Sequence, residues 1–202
     1  MIKSVANAIS IYWANSGIIK PEDTDSYIFG LELFLSTTIN LFILFAISYC
    51  FGSPLLPIPY LATFIPLRLS AGGYHSKRHL SCISLNTFFY SISIIVSKVI
   101  VSLFDTLFVV VSCTSSICVF IFSPVQAKNK PLTSSEKIRN RHISLILSLA
   151  LSFSNITIYY SSMQMSVMLK MMFCGQAVAA GLMLLEKALN NITNRKSRKE
   201  LL

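Results

Sequence analysis

Apolar residues along this chain gather into long runs instead of alternating with polar ones. A helix needs about 20 apolar residues to cross the hydrocarbon core of a bilayer. Runs of that kind extend from Leu31 to Phe51, Ile83 to Leu103, Leu107 to Phe122, Ile143 to Tyr160 and Met165 to Leu185. A shorter run, Leu55 to Leu69, carries Pro57, Pro59 and Pro66. Counting it, the pattern predicts six membrane spans. Three prolines remove backbone donors and kink a helix. Broken backbone at membrane depth survives only where protein or a water-filled cavity surrounds it, so this second span is expected to be broken and to line a cavity.

The first turns of the chain read differently. Ile2, Val5, Ile9, Tyr12 and Trp13 recur at helical spacing, while Lys3, Asn7, Ser10 and Asn15 fall largely elsewhere. This predicts an amphipathic helix within residues 1–25, lying in the membrane interface with Tyr12 and Trp13 at headgroup depth. Lys3 is followed by a mixed segment instead of a clean apolar core, so no cleavable signal peptide is expected. The predicted fold class is all-α: one domain over residues 1–202, a polytopic integral membrane helical bundle of about six spans plus an interfacial N-terminal helix. Residues 186–202 form a basic tail.

Composition agrees with that class and narrows it. Of the 202 residues, 53% are hydrophobic and only 12% charged, against about 25% charged in a soluble domain. The net charge of +9 comes from cations at the ends of apolar runs. No basic stripe on a folded surface is present, which argues against nucleic-acid binding. The cations act as topology signals. Arg68, Lys77 and Arg78 fall in one loop. Lys128, Lys130, Lys137, Arg139 and Arg141 fall in another, and Lys187, Arg195, Lys196, Arg198 and Lys199 in the tail. With the N-terminus inside, all of these are cytoplasmic, and the opposite loops hold only Asp105. Six spans then place both termini in the cytoplasm. Lys98 and Lys170 lie inside apolar runs and are costly in lipid, so each is expected to snorkel or to face protein. Glu32 opens the first span and is expected to pair with a cation.

The candidate chemistry lies in Arg68-Leu69-Ser70-Ala71-Gly72-Gly73-Tyr74-His75-Ser76-Lys77-Arg78-His79-Leu80-Ser81-Cys82. Four of the five cysteines (Cys50, Cys113, Cys118 and Cys174) sit in apolar runs, where a thiol behaves as a small hydrophobe. Cys82 alone has polar neighbours. A histidine can take a thiol proton or stabilise the thiolate, which makes Cys82 a candidate nucleophile. On one straight helix His75 and Cys82 would be about 10.5 Å apart along the axis, too far for a hydrogen bond. A turn at Gly72-Gly73 is therefore expected, with Cys82 in the first turns of the third span, where the helix dipole also favours a thiolate. His79 competes as base, being three residues from Cys82. Ser81 and Ser84 compete as nucleophiles. No zinc-type cysteine spacing is present, and no metal or cofactor is expected.

Ala71-Gly72-Gly73-Tyr74-His75, six residues, then Cys82, with Arg68 just upstream, resembles the AgrB family, bacterial membrane peptidases that mature quorum-sensing signal peptides. Tyr27-Ile28-Phe29-Gly30 with Glu32, and Ser123-Pro124-Val125 through Asn129-Lys130-Pro131-Leu132, resemble two further family stretches. The resemblance implies a cysteine endopeptidase and peptide cyclase of the bacterial cell membrane, with its active site on the cytoplasmic side. Cys82 would be the nucleophile and His75 the general base or ion-pair partner. The substrate would be an AgrD-like propeptide, with an amphipathic leader, a central signal sequence and an acidic C-terminal tail. It would be cut through a Cys82 thioester and closed to a thiolactone or lactone. Candidate substrate-binding groups are Arg68, the backbone near Gly72 and Gly73 for an oxyanion, and Lys128, Lys130 and Arg139 for the acidic tail. Membrane lipid and a homodimeric partner are also implied. The rival from another class is a transporter or channel component that uses the broken second span as its substrate site.

Overall fold

A computed structural model describes residues 2–73, 79–99, 105–126, 133–162 and 166–200. Its elements are α1 (Ile2–Asn15), a single 3-10 turn at Pro21–Asp23, α2 (Thr24–Cys50), α3 (Pro57–Ala71), α4 (His79–Val99), α5 (Asp105–Phe122), α6 (Ser134–Ser162) and α7 (Val167–Glu200). No strand occurs among the described residues. The protein is an all-α helical membrane bundle.

Helix boundaries follow local chemistry. Pro57 and Pro59 fall in the first turn of α3, where backbone N–H groups have no partner within the helix anyway. Pro66 is absorbed inside the helix. The expected break in the second span is therefore absent: α3 is continuous, and Tyr60 and Leu67 on it are fully buried among neighbours instead of lining a cavity. The start of α6 is a capping box. The Thr133 amide donates to Glu136 Oε2 at 2.9 Å, and the Glu136 amide donates back to Thr133 Oγ1. At 1.5 Å per residue, the 34 residues of α7 reach about 51 Å. That exceeds a hydrocarbon core of about 30 Å, so its last turns extend beyond the core.

Among the described residues, five helices are long and apolar enough to cross a membrane: α2, α4, α5, α6 and α7. At 15 residues, α3 spans only about 22 Å. It nevertheless returns the chain to the opposite end of the bundle, because paired contacts fix the helix directions. Thr63 donates to the Met172 carbonyl at 2.9 Å, and Gly73 lies against Met183, so α3 and α7 run parallel. Asp105 meets Lys170 and the Gln126 carbonyl meets Asn190, so α5 runs with them. Ser97 meets Met171, while Cys82 lies within electrostatic range of Arg68 near the end of α3, so α4 runs the other way. Ser112 pairs with Ser152 and Ser123 with Ser144, so α6 also runs opposite to α5. Ser48 bonds to Tyr90 and Phe51 to Lys98, so α2 and α4 are parallel. Direction thus alternates from α2 to α7, and the segments after α3 and α5 meet the late turns of α7 at one end.

The core forms where α3 is enclosed. Tyr60 stacks on Phe64 and meets Tyr90 edge-on, with Leu67, Ile94, Met171 and Met183 fully buried around them. A Cβ at Gly175 would strike Tyr60 and Thr63, so glycine lets α7 approach α3 closely. Ser112, Ser116, Ser148, Ser152 and Gln176 form a closed hydrogen-bond network joining α5, α6 and α7. Phe42, Phe88, Ile117, Ile146 and Phe153 face outward, as lipid-facing positions should.

The helix expected at the N-terminus is present as α1. It docks on α2 through fully buried Ala6 and Ser10, and Trp13 packs edge-on to Tyr27. Val5, Ile11 and Tyr12 remain exposed. Of the two lysines in apolar runs, Lys170 faces protein, paired with Asp105 at 2.8 Å and lying over Phe108. Lys98 reaches the Phe51 carbonyl at the end of α2.

Candidate functional site

The polar end of the bundle is assembled around Arg68 and the two glycines that follow α3. Gly72 ends the helix with φ +79° and Gly73 continues with φ +145°. Both values fall in the region that favours glycine. The chain thereby crosses to the segment after α5. The Val125 amide donates to the Ala71 carbonyl at 3.0 Å, and Gly72 forms a parallel bridge with Val125. A cis peptide at Ser123–Pro124 precedes this contact.

Neither glycine leaves room for a side chain. A Cβ at Gly72 would collide with the Val125 carbonyl. One at Gly73 would collide with Arg68 Nη1 and lie 3.3 Å from the Met183 amide nitrogen. The Arg68 guanidinium therefore occupies the space that the absent Gly73 side chain leaves, with the backbone of α7 on the far side. Two turns further along α7, Asn190 donates to the Gln126 carbonyl at 3.0 Å. The end of α3, the segment after α5 and the late turns of α7 are locked together at this point.

Burial is the largest influence on the Arg68 guanidinium, and the Cys82 thiol and the Glu186 carboxylate lie within electrostatic range of it. Helix α4 begins at His79, so Cys82 lies in its first turn, where unpaired backbone N–H groups present the positive end of the helix dipole. Cys82 is half-buried, and all five cysteines are free thiols. Cys50 and Cys113 are exposed, and Cys174 approaches Ser97 Oγ at 3.7 Å.

Of the residues singled out from sequence, Arg68, Gly72, Gly73 and Cys82 come together here. Arg139 is exposed near the start of α6, as are Lys137 and Arg141. His75, Lys128 and Lys130 lie outside the described residues, and so does the expected pairing of His75 with Cys82. Sequence reasoning missed Glu186, Met183 and Asn190. Residues 186–202 were read as a basic tail, but the helix continues to Glu200, and at its start Glu186 is only 6% exposed. The available signal was one carboxylate directly after the apolar run Leu182 to Leu185. Lys187 beside it is also engaged, with its ammonium 3.6 Å from the Phe122 ring centroid.

The fold and this site define a multi-pass helical membrane protein with a thiol and a guanidinium gathered at one end of the bundle. The chain belongs to the AgrB family, accessory gene regulator B, whose family model matches residues 3–179. It is thus a membrane protein of quorum-sensing peptide processing, from a family of peptide-processing enzymes that act on AgrD-like propeptides. Neither curated proteins nor solved structures give a match.

Proposed function

We propose that this protein is a membrane-embedded cysteine endopeptidase that removes the C-terminal tail of its propeptide through a Cys82 acyl-enzyme and supports cyclisation of the remainder. The observation that carries this reading is the Cys82 thiol in the first turn of α4 within the field of Arg68. His75 takes the thiol proton or holds the thiolate as an ion-pair partner, with His79 as the competing base. Cys82 Sγ attacks the carbonyl carbon before the tail, and the C–N bond breaks. The leaving nitrogen takes a proton, and the rest of the peptide remains as a thioester. A Cys or Ser side chain of the peptide then attacks that thioester. Its proton is lost, the ring bond forms and the Cys82 thiolate departs. Exchange between thioesters is nearly thermoneutral, so closure depends on proximity, which supplies large effective molarities.

Arg68 binds a substrate carboxylate or polarises the scissile carbonyl. The amides near Gly72 and Gly73 serve as oxyanion donors. Lys128, Lys130 and Arg139 draw in the acidic tail. In the cell the protein sits in the cytoplasmic membrane, in contact with lipid, as a homodimer with this end of the bundle in the cytoplasm. Basic loops and tail at that end support the orientation. The transporter reading depended on a broken second span, and continuous α3 removes its motive.

The test is Cys82→Ala with a cognate propeptide. Cleavage should vanish while membrane insertion persists, and Cys82→Ser should be far slower because a hydroxyl ionises much less readily. The wild-type protein should accumulate a peptide adduct at Cys82 that dithiothreitol releases. Tail removal by Cys82→Ala would refute the assignment.

A further inference from the structure

The buried face of α4 carries a stripe of polar side chains that begins one turn after Cys82. Asn86, Tyr90, Ser93 and Ser97 recur on it at helical spacing, and all four are buried. Three of them have partners. Tyr90 bonds to Ser48 on α2, Ser93 donates to the Phe89 carbonyl at 2.8 Å, and Ser97 donates to the Ser93 carbonyl at 2.6 Å. Asn86 is the exception. It is only 8% exposed, and its Oδ1 has no hydrogen-bond partner among the described residues. A buried amide group without a bond is costly. The member of the stripe that bears this cost is the one nearest Cys82.

Its place relative to the thiol follows from helix geometry. Asn86 lies four residues after Cys82 in the same helix. Residues at that spacing share a face, with Cβ atoms about 5–6 Å apart. The Cα–Cβ bonds of a helix tilt toward its N-terminus, so the Asn86 side chain leans back toward the turn that holds Cys82. The carboxamide has two N–H donors, and its terminal torsion is broad and two-fold, so its nitrogen can turn toward that site. The spacing suits an oxygen atom about 3 Å from both the sulfur and the carboxamide nitrogen, which is where an attacked carbonyl places its oxygen.

We infer that Asn86 is a catalytic residue, an oxyanion donor whose Nδ2–H bonds the scissile carbonyl oxygen as Cys82 attacks. The inference rests on the reading of Cys82 as nucleophile. When the Sγ–C bond forms, the π pair of the carbonyl moves onto oxygen, and the Asn86 N–H stabilises that charge together with the amides near Gly72 and Gly73. When the pair returns, the C–N bond breaks, the leaving nitrogen takes a proton and the thioester remains. A donor met by the oxygen only in the tetrahedral state raises kcat and leaves binding alone. An amide with its oxygen unbonded in the resting protein suits the role, since no internal bond to that oxygen must break before the carboxamide turns to the substrate.

The experiment compares two reactions of the same thiol in the full chain in proteoliposomes. Propeptide cleavage passes through a tetrahedral oxyanion. Iodoacetamide labelling of Cys82, read by mass spectrometry of the Cys82 peptide, displaces iodide and forms no oxyanion. Asn86→Ala should lower kcat by about a hundredfold, the scale of one lost oxyanion donor. KM and the labelling rate should stay at wild-type values, as expected when only a transition-state contact is removed. Asn155 on α6 is fully buried, and both polar atoms of its side chain lack a hydrogen-bond partner among the described residues, but it lies toward the end away from Cys82. Asn155→Ala should therefore leave kcat unchanged. Wild-type kcat in Asn86→Ala, a parallel fall in labelling, or an equal loss of kcat in Asn155→Ala would overturn the inference. If Asn86→Ala fails to insert, Asn86→Leu, which keeps bulk and lacks the donor, carries the same test. Loss of cleavage in Cys82→Ala with normal cleavage in Asn86→Ala removes this inference alone. Retained cleavage in Cys82→Ala removes the peptidase reading beneath it.

Discussion

A single missing carbon at Gly73 gives the Arg68 guanidinium its place. Gly73→Ala would force the guanidinium out of its position and also strain a backbone at φ +145°. Residues held against their preferred backbone region cost on the order of 1–3 kcal/mol. Gly73→Ala should therefore lower propeptide cleavage and Cys82 labelling together, by about tenfold or more. Gly181 on α7 meets open space, so Gly181→Ala should leave both rates unchanged. Equal rates in Gly73→Ala and wild type, compared at matched membrane levels, would show that the guanidinium does not depend on this gap.

At the scale of elements, the helices are held together by polar contacts as much as by apolar packing. Water supplies no hydrophobic drive between helices inside a bilayer, so small residues and interhelical hydrogen bonds fix the arrangement. Gln176 with its four serines joins three helices in this way. The Asp105–Lys170 pair fastens the start of α5 to the start of α7 at the end away from Cys82. Breaking a buried pair strands one charge and typically costs about 3–5 kcal/mol. Lys170→Met should thus markedly reduce resistance to unfolding in mixed micelles. Adding Asp105→Leu should recover most of that loss, since an apolar pair leaves no stranded charge. No recovery in the double variant would mean that the pair is not the principal partnership of either residue.

For the whole molecule, alternating helix directions put the segments after α3 and α5 and the late turns of α7 at one end. Cations concentrate at that end, which the positive-inside rule assigns to the cytoplasm. Reporter fusions after residues 125 and 190 should both report cytoplasmic, and a fusion near Asp105 should report outside. An external signal from the fusion after residue 190 would invert the orientation and take Cys82 away from a cytoplasmic propeptide. The short α3 makes this more than a count of apolar runs. Its inner face packs in the core while Ile58, Ile65 and Leu69 face outward, and a span this short is accommodated by local thinning of the bilayer or by flanking residues.

By itself the sequence determined the class, the long spans, the N-terminal helix and the Arg68-to-Cys82 segment. Apolar runs and cations act through length and local charge, and the segment is contiguous, so its chemistry can be read without knowing what packs on it. The prolines of α3 misled for a related reason. Their cost depends on whether neighbours enclose the helix, and only the packed bundle supplies those neighbours. Tertiary structure alone decided that Gly73 lies against Met183, that Val125 bridges Gly72, and that Lys170 meets Asp105. Each of these pairs is far apart in sequence. Such contacts arise from the register of helices crossing the same slab, and no local pattern of side chains encodes that register.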